Sequence, residues 1–211
     1  MRKVRVPWGL AMAWVGVACA SSGGMSEAGR GLPESPPLVG GCGPAPRTLV
    51  PLYTLPFTAG ERYTLTQGNC GGASHAGRFS YAFDFAMPLG TPVVAARDGV
   101  VFTLRADRPD GTGLVGDENY LIIEHADGEY SRYIHLRRAG VFVMRGQSVR
   151  RGDTIALSGN SGRSAFPHLH FDVAEACRAG PCQTIPSAFS NARPPIPDAR
   201  RPYAAEDPGP R

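Results

Sequence analysis

Lysine is almost missing from this chain: Lys3 is the single lysine among 22 basic residues. Beyond it, no side chain offers an ε-amine to which a prosthetic group could be attached. There is no CxxC pair either, which argues against the common cysteine-based zinc sites. The longest apolar stretch, Trp8 to Ala20, is too short to span a bilayer. No sustained 3.6-residue apolar period appears, so a helical bundle is excluded. Arg137, Arg138, Arg145, Arg150 and Arg151 form a basic cluster, but no aromatic residues interleave with them and the net charge is only +4. They read as the solvated side of hairpins, and no nucleic-acid partner is expected.

What is present points first to export. The 211 residues allow one ordinary domain with appendages. Residues 1–20 carry Arg2, Lys3 and Arg5, then the apolar stretch, then Ala18-Cys19-Ala20, the layout of a secretory signal peptide cleaved after Ala20. A second reading stays open. Val17-Ala18-Cys19 resembles the end of a bacterial lipobox, and lipid on Cys19 would tether the protein to a membrane. Both readings put the mature chain in the periplasm, the cell envelope or outside the cell. Without Cys19, four cysteines remain, Cys42, Cys70, Cys177 and Cys182, and an even set in an exported protein favours disulfides. Three pairings are possible; Cys177 with Cys182 would close a short loop, leaving Cys42 with Cys70.

Composition divides the rest. Residues 21–47 are rich in Gly, Pro and Ser and read as a flexible tether. Residues 191–211 are Pro-rich and are expected to be a poorly ordered tail. Between them, residues 48–190 hold short β-rich runs such as SYAFDFAM, GVVFTL, NYLIIEH, EYSRYIHL, TIALS and HLHFDV, separated by turn chemistry such as Asp110-Gly111, Asp127-Gly128 and Gly159-Asn160. This pattern predicts an all-β, mostly antiparallel domain, a sandwich or a partly open barrel. NYLIIEH and EYSRYIHL form the clearest hairpin.

The chemistry gathers around FPHLHFDV, residues 166–173. Side chains two apart on a strand share a face, with α-carbons roughly 6–7 Å apart. His168 and His170 therefore suit a metal ligand and a catalytic neighbour. Asp84 sits on a strand whose Tyr81, Phe83 and Phe85 point one way while Ala82, Asp84 and Ala86 point the other. One carboxylate between two alanines leaves space for a metal. His75, in a Gly-rich loop, is the only histidine upstream of Asp84 and completes the three ligands that a catalytic zinc requires beside an open position. On the strand through Tyr133 and His135 both side chains would line one cleft. His125 shares a face with Leu121 and Ile123 and reads as a packing or surface-edge residue.

HLHFDV, YIHL, DFAMPLGTPVVAARDGVV and GQSVRRGDTIALSGNSG together resemble lysostaphin-type zinc metallopeptidases, the peptidoglycan endopeptidases. The resemblance covers about residues 75–173. It implies one Zn2+ held by His75, Asp84 and His170, with His135 and His168 acting on a zinc-bound water, and peptidoglycan as the substrate. The chain departs from the family at one point: the first histidine usually lies four residues before the aspartate, where this chain has Ser80. An exported monomer with activity falling below about pH 6 is expected, because a free imidazole titrates near 6.5. Two rivals stand beside this reading. One is a non-catalytic wall-binding or regulatory protein on the same fold. The other is a biotinyl- or lipoyl-like carrier, to which VFVMRGQSVRRGDTIAL is similar; the missing lysine excludes it.

Overall fold

A computed structural model describes residues 49–71 and 74–207. The expected signal segment, the tether, Cys19 and Cys42 lie outside them. Among the described residues there are twelve strands: β1 Arg62–Gln67, β2 Ala82–Ala86, β3 Pro92–Val94, β4 Gly99–Arg105, β5 Tyr120–Glu124, β6 Tyr130–Ile134, β7 Leu136–Val141, β8 Ser148–Val149, β9 Thr154–Ser158, β10 Leu169–Glu175, β11 Gln183–Thr184 and β12 Arg201–Ala204. The helical content of the described residues is one 3-10 turn, Gly77–Phe79. The large sheet runs β12-β1-β2-β10-β6-β5-β4-β8, with β11 paired to β10, and a second sheet runs β3-β9-β7. All strand pairs are antiparallel and the large sheet stays open, as the turn-punctuated short runs predict.

The expected hairpin is β5–β6. Asp127-Gly128 makes its turn, with Gly128 at φ 85°, a conformation that costs a side-chain-bearing residue energy. Register then sorts the faces. Leu121 opposes Tyr133, Tyr133 opposes Phe171, and Phe171 opposes Phe83. All four are fully buried. Phe189 packs on them, with ring centroids 5.1 Å from Phe83 and 5.7 Å from Phe171. Burial of each such aromatic contributes about 2–3 kcal/mol. One pleat over, on the opposite face, Ile122 opposes Arg132, Arg132 opposes Asp172 and Asp172 opposes Ala82, while His170 opposes Asp84. The core holds one face of the sheet and leaves the polar row on the other.

The C-terminal expectation is corrected. Residues 191–207 belong to the fold: β12 pairs with β1, with Tyr203 opposite Tyr63, and Ala192, Tyr203 and Ala205 are buried. Asn191 accepts a hydrogen bond from the Leu55 amide (2.7 Å) and donates one to the Glu206 carbonyl (3.1 Å). Proline excludes helix and a central strand, but an edge strand tolerates it, and Pro202 sits on the edge of the sheet. Compositional bias overstated disorder here. Cys177 and Cys182 form a disulfide across six residues, Cα–Cα 4.4 Å. Cys70 is also disulfide-bonded.

Candidate metal centre

His170 on β10 and Asp84 on β2 are directly opposed in register, and His170 Nδ1 lies 2.9 Å from Asp84 Oδ1. The loop after β1 returns His75 over the same spot, with Nε2 3.2 Å from Asp84 Oδ2. One ligand atom from each of the three lies within 4.8 Å of the others, and all three residues are buried.

The hydrogen bonds around this trio decide what it can hold. His75 Nδ1 donates to the Gly68 carbonyl at 2.8 Å, so its Nε2 presents a lone pair, and that atom is buried without a hydrogen-bond partner. His170 Nε2 donates to Asp172 Oδ2 at 3.0 Å, turning its Nδ1 inward. The His75 lone pair, the Asp84 carboxylate and His170 Nδ1 thus converge on one spot. Such a donor set is relieved by a cation, and N,N,O ligation with the far ring nitrogens anchored suits zinc. The residues present fit the ion.

The charge states agree. Burial works against ionised Asp84, but the His170 imidazole outweighs it and holds the carboxyl well below its usual range. Burial likewise disfavours His170 as a cation, yet Asp172 and then Asp84 raise it to about 9. In the metal-free protein a proton therefore sits at His170 where the metal would. Asp172 is fully buried; its desolvation is offset by Arg132, which keeps it ionised through a two-pronged pair at 2.6 and 2.8 Å.

His168 and His135 complete the wall of the site. His168 Nδ1 donates to the Phe166 carbonyl at 2.9 Å, with Ser164 Oγ at 3.1 Å, and its Nε2 lies 3.8 Å from Asp84 Oδ1. His135 Nδ1 donates to the Ser161 carbonyl at 2.7 Å. The two rings are 4.6 Å apart. Each tether leaves Nε2 as a proton acceptor facing the cleft. Burial pushes His135 down to about 4, with the charges of His168 and His170 adding to the effect. Burial also lowers His168, partly opposed by Asp84.

The route to His135 differs from the expected one. Tyr133 does not line the cleft: it is buried in the core, and its hydroxyl accepts from the Ala96 amide at 2.8 Å. β6 ends at Ile134, and His135 adopts φ 63° where the chain leaves the large sheet for the second one. That left-handed kink, a strained conformation for histidine, swings the ring off the alternating pattern and into the site. Asn119 and Ser161 clamp the bend. Ser161 Oγ donates to the Leu136 carbonyl at 2.8 Å, and Asn119 Nδ2 donates to it at 3.1 Å. Gly162 is required beside them, since a Cβ there would fall 2.5 Å from Glu118 Cγ.

His125 stays out of the site as a packing residue, buried between the Asp98 carbonyl and Ser131 Oγ. Sequence reasoning passed over Asp172, although it lies two residues beyond His170 and the same-face rule already applied to the histidines would have found it. Nothing local marked Arg132, Gly68 or Ser161. The cleft over the cluster has a volume of about 570 Å³ and is walled by Thr66, Gln67, Ser164 and Phe166.

Residues 78–180 match peptidase family M23. The chain carries an M23 peptidase domain. Its match to the peptidoglycan DD-endopeptidase ShyA of Vibrio cholerae is 44% identical over 90 residues, 43% of this chain and 19% of the relative. A crystal structure of a zinc-containing peptidase from Vibrio cholerae is 35% identical, covering 57% of this chain and 33% of that one, with a TM-score of 0.38. The structure of LytU is 32% identical, covering 56% of this chain and 76% of that one, with a TM-score of 0.42. The chain spans about a fifth of the length of curated relatives such as ShyA.

Proposed function

We propose that this M23 domain is an exported zinc metalloendopeptidase that hydrolyses peptide bonds in the stem peptides or cross-bridges of peptidoglycan. One observation carries the reading: three clustered ligand atoms of His75, Asp84 and His170 stand beside two acceptor nitrogens, His135 Nε2 and His168 Nε2, in an open cleft. ShyA is named as a peptidoglycan DD-endopeptidase, which supports the substrate class.

His75 Nε2, Asp84 and His170 Nδ1 would hold the ion. When bound, zinc polarises a carbonyl and makes water available as hydroxide near neutral pH. The protein's own part is proton handling. With Nδ1 committed to backbone carbonyls, His135 and His168 start as bases, and either can take the proton of the attacking water at Nε2. Only after that transfer can the same nitrogen donate, to the developing oxyanion or the leaving amine. The pair therefore starts as two acceptors, one of which turns donor during turnover. The signal-like start of the chain supports export, and its Cys19 would supply a lipid tether if modified.

The reading is tested by digesting purified sacculi with the zinc-loaded protein and weighing the released fragments by mass spectrometry. Wild type is expected to release peptide fragments, while Asp84→Ala releases none and His168→Ala releases them far more slowly. A wild type that binds zinc but releases nothing from any wall type would turn the assignment toward a wall-binding role.

A further inference from the structure

A second pocket of about 570 Å³ adjoins the metal cleft and shares Ser74, His135, Arg163 and His170 with it. Four arginines line this pocket: Arg78, Arg105, Arg132 and Arg163. Two of them are already answered. Arg132 is paired with buried Asp172. Arg105 donates through Nε to the Glu118 carbonyl at 2.8 Å and lies 3.8 Å from the Glu118 carboxylate. That carboxylate in turn accepts from the Gly116 and Arg163 amides. The other two are not answered. Among the described residues, no carboxylate pairs with Arg78, whose guanidinium lies over the Phe79 ring at 4.9 Å, or with the exposed side chain of Arg163. The pocket floor is apolar, made by Phe79, Ile122 and Ile134 with Tyr120. Beyond the metal the other arm of the cleft carries neutral Thr66, Gln67, Ser164 and Phe166, so the charge is one-sided.

We infer that this pocket is a carboxylate-binding subsite, in which a substrate residue lays an aliphatic body on Phe79, Ile122 and Ile134 and pairs its free carboxylate with Arg78 and Arg163. The inference rests on the groove being the peptide-binding groove of the proposed hydrolase and sharpens its substrate class to peptides that are acidic on one side of the scissile bond. Arginine suits the task because its planar fork meets a carboxylate with two parallel hydrogen bonds. The carboxylate can belong to a peptide's C-terminus or to an acidic side chain.

The test is calorimetric binding to the zinc-loaded full chain, with four N-acetylated tripeptides that end in alanine. They combine a C-terminal acid or amide with a central Glu or Gln, and hydrolysis is followed in the same samples. An acid at one of the two positions is expected to bind about tenfold tighter than its neutral counterpart; which position shows this identifies the source. Arg78→Gln with Arg163→Gln should shrink the preference to within about twofold, whereas Arg150→Gln, an exposed arginine outside the pocket, should leave it intact. Equal binding of acids and amides, no measurable binding, or a preference that survives the double replacement overturns the subsite. A preference without hydrolysis keeps the subsite and counts against the hydrolase reading instead.

Discussion

Asp172 and Arg132 stand opposite each other on β10 and β6 as a buried two-pronged ion pair, and the same carboxylate accepts from His170 Nε2. The pair therefore fixes which nitrogen His170 turns toward Asp84. Asp172→Asn keeps the shape but loses the charge that holds this tautomer, and zinc affinity should fall by about 10–100-fold. Because Arg132 is then left uncompensated, stability should drop as well. Adding Arg132→Gln should restore stability without restoring affinity. A chelator competition showing wild-type affinity in Asp172→Asn would reject this role.

Proton competition follows from His170. Its pKa of about 9 in the metal-free protein means that at pH 7 a proton occupies Nδ1, and zinc must displace it. Binding should release about one proton per ion, and affinity should rise about tenfold per pH unit up to roughly 9. Calorimetry in buffers of different ionisation enthalpy measures the release. No buffer dependence at pH 7 would contradict the assignment.

The pH profile of activity should be lower-lying than the sequence alone suggests. His135 must be neutral to accept a proton, and burial moves its pKa down to about 4. Lowering a base's pKa keeps it competent at more acidic pH, so loss of this function appears only as the pH falls toward 4. Followed by NMR in the metal-free protein, the His135 imidazole is expected not to titrate between pH 7 and about 5.5. Titration centred near 6.5 would mean that the ring is solvated.

His135 and His168 should also separate chemistry from metal binding. His135→Ala and His168→Ala each remove a proton acceptor while leaving all three ligands, so kcat should fall by about 10²–10⁴ at unchanged zinc stoichiometry. Asp84→Ala should lose the metal itself. Zinc content measured by atomic absorption distinguishes the two patterns, and loss of zinc in His168→Ala would make that residue a ligand.

The C-terminal segment should matter for stability. Tyr203 is buried and its hydroxyl accepts from the Asp198 amide at 2.7 Å. Tyr203→Ala should cost about 3 kcal/mol, a fall in Tm of roughly 6–12 °C for a domain of this size. A change under about 2 °C would show that β12 is dispensable.

Alternation and turn residues were sufficient to anticipate the open antiparallel architecture and the β5–β6 hairpin, because strand period and turn chemistry are local properties. The same period put Asp84 and His170 on polar faces, and it would have added Asp172 had it been followed two residues further. Three things depended on how distant strands meet. The register of β2 against β10 joins Asp84 and His170, two of the proposed ligands, 86 residues apart. The kink at His135, held by Asn119 and Ser161, brings in a ring that regular alternation would have paired with Tyr133. The edge of β1 recruits a proline-rich segment that composition alone assigns to disorder. Each is a contact between segments far apart in the chain, where tertiary packing outweighs local preference.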